Sequence, residues 1–206
     1  LGDVYKRQVQ AQQMEEIARI SLDNPENAVP YIVREVFSSL IDITKKDTAN
    51  LAAPTDEQVQ ARKKLISNFI VMENAKQGQG QVKLPYQLTE KDFALANELS
   101  PMEQAERNKE YALYTISILA KIYTDEVEKQ TGNIVPLTDL PGSAAIVDAL
   151  RFNPNSGVKI AAIDALRHIQ RPEYKEELTT LYTLAQADSN PQVSMAAERA
   201  LNRSNV

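Results

Sequence analysis

Cysteine and tryptophan are missing from this chain, and histidine occurs once, at His168. Without cysteine there is no disulfide, no thiol nucleophile and no thiolate metal site. A single imidazole leaves no His-x-x-x-His or Glu-x-x-His pair to hold a metal. No apolar run approaches the roughly 18 residues that a membrane-spanning helix needs. The longest candidate, Ile116 to Tyr123, is short and interrupted by Lys121. A basic excess is also lacking: net charge is −5, which argues against a nucleic-acid partner. No segment alternates apolar and polar residues for long enough to form a strand, so no sheet is expected.

What remains is an ordinary globular composition, 43% hydrophobic and 25% charged over 206 residues. That is enough chain for a sizeable core. Its clearest internal feature is a repeat. Val158, Ala161, Ala162, Ala165 and Leu166 recur as Val193, Ala196, Ala197, Ala200 and Leu201, an offset of 35 throughout (193 − 158). Both stretches follow an Asn-Pro pair, Asn153-Pro154 and Asn190-Pro191. Helices with alanine on the buried face approach one another closely, and a fixed period of this size points to stacked helical hairpins.

Further helices follow from periodicity and caps. Val9–Leu22 is amphipathic, with Met14, Ile17 and Ala18 on the same side. A second helix spans about 28–44 and carries Val36, Phe37, Leu40 and Ile41 inward. Thr55 and Gln58 form a capping box ahead of a helix bearing Leu65, Ile66, Phe69, Ile70 and Met72. Thr89 caps a short helix. Ser100 and Glu103 form a second box and open the longest helix, closed by Gly132. Four more helices are expected at 143–151, 157–169, 172–187 and 191–203. In the third of these Tyr174, Leu178, Leu181, Tyr182 and Leu184 point inward.

The expected organisation is a helical region at 9–76, a Gln/Gly linker at 77–84 and a repeat region at 85–206. Residues 1–8 stand apart. Asp3-Val-Tyr-Lys-Arg-Gln8 resembles a translated sequencing-adapter tract, so residues 1–8 are read as non-native and the reading frame as truncated at its 5′ end, which leaves open whether a leader or anchor precedes residue 9.

Over about 141–203 the pattern Asn-Pro, Val158-Lys159, Ala161-Ala162, Ala165-Leu166 and its echo resembles the second helix of a HEAT repeat. In that family the second position is usually Arg; Lys159 keeps its charge and Ser194 does not. The resemblance implies an all-α, alpha-alpha superhelix, a short solenoid of antiparallel pairs after an irregular N-terminal helical part. It also implies a non-catalytic scaffold that binds another protein along a helical surface. In such stacks the second helix of each pair lines the concave side. The outward residues on those helices are Lys159, Arg167, His168, Ser194, Arg199 and Asn202, a locally basic set suited to an acidic partner segment. No cofactor, metal or catalytic residue is expected. The Gly78-Gln-Gly80 pair lacks the rest of a phosphate-binding fingerprint, and paired carboxylates such as Glu176-Glu177 read as solvated helix positions. Two other classes fit less well. One is an exported or envelope structural protein; the other is an enzyme on such a solenoid, of the DNA-glycosylase or chromophore-lyase kind.

Overall fold

The computed structural model describes residues 29–75 and 83–204. The expected helix Val9–Leu22, the tract 1–8 and positions 77–82 of the expected linker lie outside the described residues. Among the described residues every regular element is helical and none is a strand. The α-helices are α1 (Val29–Lys45), α2 (Asp56–Ala75), α3 (Glu90–Asn97), α4 (Pro101–Thr131), α5 (Ser143–Phe152), α6 (Ser156–His168), α7 (Lys175–Gln186) and α8 (Pro191–Ser204). Short 3-10 turns occur at Leu137–Asp139 and Pro172–Tyr174. The contacts divide the chain into two units. Of the described residues, 29–46 with 106–204 make up the larger unit, and those from 47 to 105 the smaller.

The larger unit is built around α4. Ala112, Leu113, Ile116, Leu119 and Ala120 are buried, and they share one core with Phe37 and Leu40 of α1 and with the inner faces of α5 to α8. Thr131 ends α4 because Gly132 turns left-handed, φ 70°, and donates its N–H to the Glu128 carbonyl at 2.8 Å. Two hairpins follow. α5 packs on α6, α7 packs on α8, and α6 lies directly against α8. Their inner faces are the repeated residues: Val158, Ala162, Ala165, Val193, Ala197 and Ala200 are each exposed by 1% or less. Lys159, in the first turn of α6, bonds Asp188, in the short α7–α8 connection three residues before α8 (2.6 Å). The starts of α6 and α8 are therefore at the same end, and the two helices run in the same direction.

Arg171 ties the α6–α7 connection to the end of α4. Its guanidinium bonds Glu128 and lies 3.5 Å from Asp125 and 3.7 Å from Glu173. The bond to Glu128 raises its pKa. Next to it, the Tyr174 hydroxyl donates to the Val135 carbonyl at 2.6 Å. Leu178 and Tyr182 point inward as expected, but Leu184 does not: it is 48% exposed. It lies two residues past Tyr182, beyond the helical stripe set by Tyr174, Leu178, Tyr182 and Ala185, and so turns to solvent.

Tyr182 is fully buried, and its hydroxyl has no hydrogen-bond partner. Burial pushes the phenol pKa upward. A buried hydroxyl left without a bond costs about 1–3 kcal/mol, and removing it without changing the ring recovers much of that. Tyr182→Phe is therefore expected to stabilise the chain by about 1 kcal/mol, raising the thermal midpoint by about 2–4 °C. A lower midpoint for the phenylalanine variant would show that the hydroxyl is satisfied after all.

The smaller unit is held together by polar clamps. The Arg62 guanidinium donates to the Ala96 carbonyl (3.2 Å) and the Glu98 carbonyl (2.6 Å) and grips the Glu103 carboxylate in a fork. Asn68 bonds both the N–H and the C=O of Tyr86, which holds the bend at 85–86 against α2. The three expected N-terminal caps are all present. Thr55–Gln58 and Ser100–Glu103 form reciprocal boxes. At Thr89 the partner is Asp92, whose carboxylate accepts the Thr89 N–H (2.9 Å) and the Lys64 ammonium (2.8 Å).

Those bonds hold the Asp92 carboxyl down at about 2, from an ordinary 3.8, the Lys64 bond first among the causes. A depressed acid stabilises the fold fully above its unfolded pKa and loses that contribution as the pH falls through its folded pKa. Between about pH 4 and pH 2 the urea midpoint of the native chain is expected to fall more steeply than that of Asp92→Asn. Parallel slopes in acid urea titrations of the two proteins would exclude this linkage.

Candidate functional site

The expected binding surface is formed by α6 and α8, because the nested alanines bring those two helices together and leave their other sides outward. Each of the six expected contact residues lies on one of these helices. Their environments differ.

Lys159 is not a free cation. Its ammonium is bonded to Asp188 at 2.6 Å, and both side chains are mostly buried. The Asp188 carboxylate also accepts the Asn190 N–H at 2.8 Å. The Lys159 bond is the main cause that lowers the Asp188 pKa. Arg167 bonds Asp164 one turn back, at 2.8 Å. Ser194 donates to the Gln186 carbonyl at 2.8 Å, tying α8 to the end of α7. Three of the six side chains thus already hold this fold together.

The other three are exposed. His168 sits at the end of α6 with its ring 6.1 Å from that of Tyr114, tilted by 49°. Arg199 and Asn202 lie on the outer side of α8, and Met195, half exposed, lies one turn before Arg199. Arg203 adds a second exposed cation in the last turn.

Among the described residues no group of three or more His, Asp or Glu side chains can hold a metal ion. The buried Glu106 and Lys109 of α4 face each other at 3.5 Å, an i,i+3 pair on one helix. Also among the described residues, no helix is long and apolar enough to cross a membrane.

Composition and periodicity did not reveal a second surface, in the smaller unit. Ile66, Phe69, Ile70 and Met72 of α2 are each half exposed or more. The apolar periodicity of 59–72 signals a helix, but two of its three buried residues are polar: Gln58 and Asn68, with Ala61 between them. A signal was available in the sequence, since apolar residues occupy almost every direction around the helix from Leu65 to Met72.

No protein family, no curated protein and no solved structure matches the chain.

Proposed function

We propose that the chain is a non-catalytic protein–protein interaction module of HEAT-like construction, which holds an acidic segment of a partner against the outer face of α6 and α8. The observation that carries this reading is the direct contact of α6 with α8, two parallel helices set side by side as one ridge, each burying its repeated face (Val158 and Ala162, Val193 and Ala197) in the core. Small residues at the seam make a broad, rigid surface, and a rigid surface loses little entropy on binding.

The polar chemistry on that ridge is narrower than a count of cations implies. With Lys159 committed to Asp188 and Arg167 to Asp164, Arg199 is the principal cation for an incoming carboxylate, with Asn202 and His168 beside it. A useful experiment therefore avoids Lys159, whose reversal would set a carboxylate against Asp188. Affinity purification with the chain and with an Arg199→Glu/Asn202→Glu variant, followed by quantitative mass spectrometry, tests the reading. At least about a tenfold loss of a recovered protein is expected, the size of a lost charge-assisted contact. Equal recovery by both would remove this face from consideration.

A further inference from the structure

Neighbouring contacts fix which way each helix of the ridge is turned. On α6, a Cβ at Gly157 would stand 2.5 Å from Glu110 Oε1 of α4, and the His168 ring faces that of Tyr114, also of α4. The side carrying Gly157 and His168 therefore turns to α4. Lys159, bonded to Asp188 ahead of α8, lies on the opposite side. Ile160 and Arg167 fall between that side and solvent, at the border with α8. On α8, Ser194 bonds the Gln186 carbonyl and so faces α7. Ala196, Arg199 and Arg203 lie about 140° or more round the helix from Ser194, at the border with α6.

The two helices run in the same direction, so the residues of this seam sort by level. Its first half is apolar. Ile160 and Ala196 are partly buried and pack against the core, and Met195 beside Ala196 is 51% exposed. Its second half is basic, with Arg167, Arg199 and Arg203. Glu198, the single acid of α8, lies about 100° round from Arg199, on the side of Ser194. Asp164 of α6 is bonded to Arg167. Seven residues separate Ile160 from Arg167 (167 − 160) and Ala196 from Arg203 (203 − 196). That is a rise of about 10 Å, which an extended chain covers in about three residues.

Resting on the acidic-partner reading above, we propose that the seam between α6 and α8 takes an extended acidic segment with one bulky aliphatic side chain three residues from its carboxylates. The aliphatic group seats on Ile160, Met195 and Ala196; the carboxylates meet Arg199 and Arg203, with Arg167 released from Asp164 as a third partner. Charge selects the occupant. A nucleic acid presents phosphates at every step and needs cations along the whole seam, whereas here they are confined to one half. A wholly charged segment would leave the apolar half uncovered. Covering Ile160 and Met195 adds burial that only an apolar side chain supplies, and methionine adapts to side chains of differing shape.

Fluorescence polarisation with the full chain tests this. Two labelled acidic peptides are compared, identical except for leucine or serine three residues from a run of glutamates; the pair is made in both chain directions. In the better-bound direction the leucine peptide is expected to bind at least about tenfold more tightly. Met195→Gln, at an exposed position, should weaken the leucine peptide at least about threefold and leave the serine peptide unchanged. Arg199→Glu/Asn202→Glu should weaken both. Equal affinities for the two peptides, both lost in Arg199→Glu/Asn202→Glu, would overturn the proposal and leave the acidic-partner reading standing. Binding of neither peptide would overturn both. Tighter binding of a labelled oligothymidine than of the leucine peptide would overturn the choice of occupant.

Discussion

Gly142→Ala is expected to lower the stability of the chain by about 2–5 kcal/mol, two ordinary costs acting at one position. Gly142 precedes the first turn of α5 with φ 76°, the left-handed region. An L-residue pays about 1–2 kcal/mol to stand there. A methyl group would also sit 2.5 Å from Ile116 Cγ2 and 3.4 Å from Phe37 Cδ1. Ile116 is fully buried in the middle of α4 and β-branched, so it has no free end to swing aside. Forcing such a fit typically costs about 1–3 kcal/mol. Gly132 provides the control. It has nearly the same φ, 70°, but a methyl group there would meet nothing within 4 Å, so Gly132→Ala carries the conformational cost alone. Thermal melts of the two variants separate the terms. Equal midpoints would mean that α5 does not approach α4 as closely as the Gly142–Ile116 contact requires.

Local rules were legible in the chain, and long-range ones were not. Thr55, Thr89 and Ser100 each cap the helix expected of them, because a cap depends on residues three positions apart. Gly132 ends α4 for an equally local reason. The 35-residue echo located α6 and α8, because burial against a neighbour restricts the repeated positions to small apolar residues. Even there the two copies are not equivalent. Pro191 is the first residue of α8, whereas α6 starts two residues after Pro154, and Asn155 rather than Asn153 caps it by accepting the Val158 N–H. Lys159 reads as a contact residue in the sequence because its partner, Asp188, is 29 residues away, and no periodicity relates a helix position to a loop carboxylate. The exposure of Ile66, Phe69, Ile70 and Met72 on α2 was hidden for a different reason. Periodicity reports that a helix is amphipathic; whether its apolar side faces its own chain depends on what else is packed there. In this unit Arg62 and Asn68 hold the inner side with hydrogen bonds to backbone carbonyls.

The internal pairs on α6 and α8 also sharpen what the ridge can recognise. A salt bridge that is mostly buried, such as Lys159–Asp188, is costly to open, because either charge left alone would be poorly solvated. The exposed Arg167–Asp164 pair is cheaper to open, since exposed i,i+3 pairs contribute only a few tenths of a kcal/mol. Arg167 can therefore be recruited by an incoming carboxylate and Lys159 cannot. On the proposed reading, an acidic segment would therefore be selected at the C-terminal part of the ridge, where Arg199 and Arg203 lie and where Arg167 is the one paired cation that opens cheaply.

Enlarging the seam is expected to do comparable damage. Ala162 and Ala197 occupy equivalent places in the repeat, both fully buried, on helices in direct contact. Leucine at either position adds three carbon atoms to a seam closed by methyl groups, costing about 1–3 kcal/mol. The two sites share neighbours, so the pair will not be strictly additive, and about 2–5 kcal/mol is expected for Ala162→Leu/Ala197→Leu. Leucine propensity is nearly as favourable as that of alanine, so helix formation itself is not the cause. Ala144→Leu on the exposed side of α5 serves as the control and should melt close to the native chain. Urea titrations of the three proteins decide the matter. A double variant as stable as Ala144→Leu would mean that α6 and α8 stand far enough apart to admit the larger side chains, and the ridge would lose the rigidity on which the proposed binding depends.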